Sequence, residues 1–157
     1  RSNKDDELTQ ITEKGTDQVY NYVTQRQAAQ QAQGMYTSNN FTSDLMNSYA
    51  WDTVTLFFQN CGTNPKYSRQ GRGENITLLQ TGTNTFTEIN KIDIQCNVYD
   101  MAGNVAEWTT ETSSYLDDPC VPRGGFYDSK DYHMSHRYSN DTSISYAIIG
   151  FRPILYL

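Results

Sequence analysis

The stretch GNVAEW, residues 103–108, constrains the fold more than any other part of the chain. Its Gly-Asn pair is a strong turn former, and the valine and Trp108 that follow are apolar anchors for a core. Glu107 lies between these anchors and is expected to be buried, where a carboxylate needs hydrogen bonds or a cation. Arg123 and Arg152 stand in later glycine-containing motifs, and each carries a forked guanidinium. We expect an internal charge pair between Glu107 and one of these arginines.

Size and charge narrow the classes of function. The chain has 157 residues, which fits a single domain, 1–157, that buries roughly two thirds of the surface of its unfolded form. The formal net charge of −6 would repel a phosphate backbone, so no nucleic-acid partner is expected. No run of about 20 apolar residues occurs, so no direct membrane insertion is expected either.

Apolar periodicity predicts two helices in the first part of the chain. The N-terminal helical segment, residues 1–36, has apolar residues at steps of three and four, which is typical of an amphipathic helix. A second helix is expected after a polar turn, with Ser43 or Asp44 as its N-cap. We expect it to end near Cys61 and Gly62, where the glycine can adopt the left-handed conformation.

The rest of the chain predicts a loop-rich body with short strands. Residues 63–97 are rich in Gly, Asn, Thr and Gln, which favours irregular structure with at most short strands. The terminal FRPILYL, residues 151–157, contains a proline that confines it to an edge strand or a strand end. The predicted fold class is therefore α+β, with two N-terminal helices followed by this body.

The chain contains three cysteines, Cys61, Cys96 and Cys120. They lie too far apart for a CxxC metal or redox motif, and an odd number is a poor disulfide framework. Buried free thiols are the favoured interpretation. A single bridge between Cys96 and Cys120 is the alternative.

Three ordered motifs resemble those of a known family. They are YDMAGNVAEWTTE at residues 99–111, RGG at residues 123–125 and GFR at residues 150–152. In order and approximate spacing they resemble the formylglycine-generating enzyme (sulfatase-modifying factor) family. The resemblance covers residues 43–157. It implies a C-type-lectin-like fold of the type found in this family.

The resemblance does not extend to the catalytic chemistry of the family. Catalytic members rely on a cysteine pair that lies shortly after the RGG motif. This pair binds copper and handles oxygen, which needs thiolates that can take a soft metal. Residues 126–149 contain no cysteine. We therefore expect no enzyme, no catalytic residue and no cofactor. A divergent oxidase of the formylglycine-generating type is one alternative.

The two histidines, His133 and His136, are candidates for a metal site. A related branch, the sulfoxide synthases of thiohistidine biosynthesis, uses a three-histidine iron site, whereas this chain has two histidines. Two exposed loop residues without a metal are the favoured interpretation, and no metal ligand is expected. Family members can hold structural calcium in loops, and the Asn- and Asp-rich loops here supply oxygen ligands that are compatible with it.

The residues between the RGG and GFR motifs form a polar segment, residues 126–149. Of its 24 residues, 15 are Tyr, Ser, Asp, His or Asn. This composition is typical of antibody paratopes, where Tyr gives contact area at low entropic cost and Ser, Asn and Asp adapt their hydrogen bonds. It predicts a surface that binds a protein or a cell-surface receptor. The candidate ligand-binding residues are Phe126, Tyr127, Asp128, Ser129, Asp131, Tyr132, His133, Ser139, Asp141, Ser143, Ser145 and Tyr146.

The polar segment also resembles the diversified region of the variable proteins of diversity-generating retroelements. In those proteins template adenines are replaced at random, so that Asn codons become codons for Tyr, Ser, Asp, His, Phe and similar residues. All the candidate residues are reached from Asn in this way, whereas Lys130 and Met134 are not and are interpreted as template-encoded or scaffold.

This resemblance implies a non-catalytic display protein that is surface-displayed, secreted or associated with a phage particle. The alternative to a diversified surface is a non-diversified binding or structural accessory module of the same fold.

Overall fold

Two α-helices and seven short β-strands make up the regular structure of the described residues, in agreement with the predicted α+β class. The computed structural model describes residues 20–36, 38, 40–62, 94–96, 98–126 and 132–157. In chain order the elements are α1 (Gln25–Met35), β1 (Thr42–Leu45), α2 (Ser48–Cys61), β2 (Ile94–Gln95), β3 (Val98–Tyr99), β4 (Ala106–Thr112), β5 (Cys120–Arg123), β6 (Ile149–Phe151) and β7 (Pro153–Tyr156).

The strands form three small sheets within these described ranges. β1 pairs antiparallel with β7, and β2 pairs antiparallel with β3. The third sheet has the order β5-β4-β6, in which β4 is antiparallel to β5 and parallel to β6. β7 begins at Pro153 and has β1 as its neighbour in a two-stranded sheet. The expectation of an edge strand at the end of the chain is therefore confirmed.

α1 begins later than the periodicity of residues 1–36 predicts. Residues 1–19 lie outside the described residues, and residues 20–24 are not helical. Thr24 is the N-cap, and its Oγ accepts a hydrogen bond from the Gln27 backbone N–H at 3.3 Å. The Gln27 side chain accepts one from the Thr24 N–H at 2.9 Å. This reciprocal capping box fixes the start of the helix.

The start of α2 also differs from the prediction. Asn47 is its N-cap, and the Asn47 side chain accepts a hydrogen bond from the Ala50 N–H at 2.8 Å. The expectation that Ser43 or Asp44 caps this helix is wrong. Both residues belong to β1 and pair with residues of β7, so their backbone is extended.

The predicted end of α2 at Cys61 is confirmed. Gly62 has a φ of −73°, so the expectation of a left-handed glycine there is wrong. Its N–H nevertheless donates to the Phe58 carbonyl oxygen at 2.9 Å and so satisfies one of the last carbonyls of the helix. No helix in the described part of the chain is long and apolar enough to cross a membrane.

Two buried tryptophans organise the core. Trp108 of β4 donates from Nε1 to the Val23 carbonyl oxygen at 2.7 Å, and Trp51 of α2 donates to the Met134 carbonyl oxygen at 2.9 Å. Each indole therefore buries its apolar body and still satisfies its N–H. The buried cluster around Trp108 contains Val23, Ala28, Ala32, Leu45, Ala106, Cys120, Ile149 and Phe151. The cluster around Trp51 contains Met46, Phe58, Met101, Ala102 and Met134.

The expected partner of Glu107 is Arg152. The Glu107 side chain is 1% exposed, and its two carboxylate oxygens accept hydrogen bonds from Nε and Nη2 of Arg152, each at 2.9 Å. Arg123 stands opposite Glu107 in the β4–β5 register, but its guanidinium pairs with Asp52 and Glu111 instead. The forked geometry offsets the cost of burying the carboxylate.

All three cysteines are free thiols. Cys120 is buried, as expected, whereas Cys61 and Cys96 are exposed, so the expectation of buried thiols is wrong for these two. Residues 63–93 lie outside the described residues. The two-residue strands β2 and β3 fit the expectation of short strands near the end of that stretch.

Replacing Arg152 by Ala is expected to lower the free energy of unfolding by about 3 kcal/mol, because it leaves the buried Glu107 carboxylate without its cation. Urea denaturation measures the loss. The matched control is Arg26→Ala, which removes an exposed arginine from α1 and should change the free energy by less than about 0.5 kcal/mol. Equal effects of the two substitutions would contradict a stabilising role for the pair.

Candidate ligand-binding surface

The entry to the polar segment is a closely packed glycine pair. Gly124 has a φ of +85°, which favours glycine, and a Cβ there would press against the Met101 carbonyl oxygen. A Cβ on Gly125 would overlap the carbonyl oxygens of Ala102 and Tyr132. The RGG motif is thus required by close backbone approach. It brings the backbone of Tyr132 against the turn that precedes β4.

Residues 136–140 lie along β5 as an additional extended edge. Cys120 and Asn140 exchange two backbone hydrogen bonds, at 2.9 and 2.8 Å, and the Gly124 N–H donates to the His136 carbonyl oxygen at 3.1 Å. An antiparallel bridge also joins Arg123 to Arg137. Backbone groups therefore hold this part of the polar segment in place, and they do so whatever side chains it carries.

Four rings of the polar segment pack against one another. Tyr132 stacks on Phe126 at a centroid separation of 4.9 Å and contacts His136 edge-on at 4.3 Å. The ring centroid of Tyr138 lies 5.5 Å from that of Tyr132 and 5.4 Å from that of His136. Burial, and secondly the neighbouring Tyr132, raise the pKa of the Tyr138 hydroxyl. This aromatic cluster anchors the middle of the segment with half-buried rings.

The two histidines are neighbours, with ring centroids 5.8 Å apart. Nδ1 of His133 is 2.8 Å from the Ser135 hydroxyl. Partial burial, and secondly the nearby His133, lower the pKa of His136 from its ordinary value of 6.5. In the described part of the chain no group of three or more His, Cys, Asp or Glu side chains could hold a metal ion.

An exposed rim follows the aromatic cluster. It consists of Asp141, Thr142, Ser143 and Tyr146, with the Tyr146 side chain 50% exposed. The Asp141 carboxylate accepts a hydrogen bond from the Ser143 N–H at 2.5 Å, and bonds to Ser143 hold the pKa of that carboxyl below its usual range. The rim therefore presents an ionised carboxylate, two hydroxyls and a phenol to solvent at neutral pH.

The structure places eight of the twelve candidate residues. Tyr127, Asp128, Ser129 and Asp131 lie outside the described residues. Asp141, Ser143 and Tyr146 are exposed. Phe126, Tyr132, His133, Ser139 and Ser145 are half-buried. The described candidates thus divide into an exposed rim and a partly buried support.

A charge network beside the surface was missed by the sequence analysis. Arg137 of the polar segment lies 2.6 Å from Glu111 and 3.5 Å from Asp52, and Arg123 lies 3.1 and 2.6 Å from the same two carboxylates. Arg123 is buried, whereas Arg137 and Asp52 are about half exposed. Residue type alone did not predict this arrangement, because it unites side chains of α2, β4, β5 and the polar segment.

Comparison with known proteins identifies the family. The family model described as the sulfatase-modifying factor enzyme 1-like domain matches residues 14–156. The chain belongs to this family. No curated protein and no solved structure gives a significant match. Membership agrees with the resemblance of the three motifs, whose Glu107, Trp108, Arg123 and Phe151 are all buried in the scaffold.

The residues present do not fit the copper site of the catalytic family members. The polar segment contains no cysteine to take a soft metal. Cys120 precedes the RGG motif and is buried, and desolvation, with a smaller contribution from Asp141, raises the pKa of its thiol. A thiol that holds its proton is a poor copper ligand.

Acidification is expected to destabilise the fold through His136. The pKa of His136 is lowered in the folded state, so below about pH 6.5 the unfolded chain binds more protons than the folded chain. The population of the unfolded chain therefore increases as the pH falls. Thermal denaturation at about pH 7.5 and about pH 5.5 should show a decrease in Tm that is smaller in His136→Gln. The value at the higher pH is the control, because the histidine is neutral there. An unchanged pH dependence in the variant would contradict this assignment.

Proposed function

We propose that this chain is a non-catalytic ligand-binding protein on a C-type-lectin-like scaffold. Its polar segment, residues 126–149, forms the binding surface, and the partner is a protein or a cell-surface receptor. The protein is displayed on the surface of a cell, associated with a phage particle, or secreted. Nucleic acid is not its partner, since the net charge of −6 opposes it.

The contrast between Met134 and the exposed rim carries the proposal. Met134 is fully buried, and its carbonyl accepts the Trp51 indole bond. Methionine is not reached from an Asn codon by replacing adenines, so Met134 is interpreted as a template-encoded or scaffold residue. Asp141, Ser143 and Tyr146 are accessible from Asn codons and are exposed. A diversified display surface requires this division, because randomised side chains are tolerated where they do not fill the core.

The composition of the exposed rim supports a macromolecular ligand. Tyrosine supplies a large contact area with few rotatable bonds, and neighbouring Ser, Thr and Asp side chains adapt their hydrogen bonds to different partners. The supporting aromatic cluster and the backbone bonds to β5 hold the rim on a fixed base. A preorganised base reduces the entropy lost on binding.

The non-catalytic part of the proposal depends on the missing thiols. Family membership is compatible with a divergent oxidase, but the polar segment has no cysteine and the nearest one, Cys120, is buried. A copper or iron titration of the purified chain tests this point. Stoichiometric, tight binding of either metal would contradict it and favour the oxidase.

The neighbouring DNA tests the diversified origin of the surface. We expect a second copy of the terminal coding segment close to the gene, next to a reverse transcriptase, with differences concentrated at adenines of the copy. The codons of the polar segment should carry these differences, whereas those of Met134 and Arg152 should not. A genomic neighbourhood without both elements would leave a non-diversified binding module as the function.

Substitution tolerance provides a second test. Ser143→Tyr and Tyr146→Ser, both reached from Asn codons, are expected to change the free energy of unfolding by less than about 0.5 kcal/mol, because both side chains are exposed. Met134→Ala should lower it by about 3 kcal/mol, since it empties a buried site. Urea denaturation of the three variants measures the contrast. A large loss for either rim variant would contradict a display surface.

A further inference from the structure

Two cysteines that are distant in sequence meet at the end of α2. Cys61 is the last residue of the helix, and Cys96 forms the turn between β2 and β3. The Cys96 thiol donates a hydrogen bond to the Cys61 carbonyl oxygen, with 3.3 Å between Sγ and O. Both side chains are exposed, so an oxidant in solution reaches them.

The hydrogen bond places the Cys96 thiol against the Cys61 backbone. The Cys61 carbonyl carbon and the Cys61 Cβ are attached to the same Cα, so this contact places the Cys96 sulfur beside the backbone of the residue that carries the second thiol. Exposed side chains change χ1 without displacing packed neighbours. A disulfide needs its two Cα atoms about 4.4–6.8 Å apart, a separation that this contact allows.

We propose that Cys61 and Cys96 form an intramolecular disulfide that ties the end of α2 to the β2–β3 hairpin. This bridge is independent of the ligand-binding proposal, since neither residue belongs to the polar segment. It also differs from the Cys96–Cys120 bridge considered from the sequence, because Cys120 is buried in the core around Trp108.

The bond forms by thiol–disulfide exchange with a small disulfide such as oxidised glutathione. The thiolate of one cysteine attacks the oxidant, a mixed disulfide forms and one molecule of the small thiol leaves. The second cysteine then attacks the protein sulfur of the mixed disulfide and releases a second small thiol. Two protein thiols are thereby oxidised to one disulfide, the oxidant is reduced to two thiols, and these take up the two protons.

The bridge would close residues 62–95, 34 in number, into a loop. Closing a loop of this length restricts the unfolded chain and so stabilises the folded one. For a domain of this size the expected increase in Tm is on the order of 10 °C.

The test uses the full chain, treated with oxidised glutathione and then with iodoacetamide. Proteolysis and mass spectrometry without reductant should give one peptide pair linked through Cys61 and Cys96, with Cys120 alkylated only after unfolding. The Tm should increase on oxidation and return with reductant. Cys120→Ser is the matched control and should keep both the link and the increase. Cys61→Ser and Cys96→Ser should lose both.

Three results would overturn the proposal. One is a product in which both exposed thiols stay free or carry glutathione without closing the bridge. Another is a Cys96–Cys120 link, and the third is a disulfide-linked dimer as the main product at low protein concentration. Because the wild-type chain gives the peptide link directly, a variant that fails to fold does not affect this outcome.

Discussion

The fold depends on the bidentate pair between Arg152 and Glu107. Glu107 is almost fully buried in β4, and Arg152 follows directly after β6, which is the parallel neighbour of β4. Without the guanidinium, the carboxylate would oppose the burial of the strand that also carries Trp108. The pair therefore fixes the point at which the polar segment returns to the sheet. Arg123, held by Asp52 and Glu111, fixes the point at which it leaves.

Between these two arginines, different kinds of interaction hold different parts of the polar segment. Residues 136–140 are held by backbone hydrogen bonds to β5, which are insensitive to side-chain identity. Met134 is held by burial, and the rings around Tyr132 by partial burial and mutual contact. The side chains of the rim, Asp141, Thr142, Ser143 and Tyr146, are exposed, so tolerance to substitution should be greatest at these four positions.

The sequence predicts the scaffold better than the contacts between distant elements. Glu107 and Trp108 are correctly predicted as buried, because charge burial and apolar anchoring are local properties of their motif. Ser43 and Asp44 have good N-cap chemistry, but pairing with β7, more than 100 residues away, overrides it. The charge network of Arg137 is hidden for the same reason, since its partner Asp52 lies on α2. Amino-acid composition also does not predict which residues of the polar segment are exposed, because it does not distinguish the half-buried Tyr132 from the exposed Tyr146.

Under the proposed function, a fixed backbone beneath variable side chains has a thermodynamic consequence for binding. Ordering a loop on association consumes binding free energy, whereas a loop already held by β5 and the aromatic cluster has lost that entropy during folding. The remaining cost falls on side chains such as Tyr146, which has few rotatable bonds, and on the desolvation of groups such as Asp141. The stability of the scaffold and the adaptability of the surface therefore draw on different residues. If the rim binds the proposed partner, mutations there change the partner without weakening the Glu107–Arg152 pair that holds the sheet together.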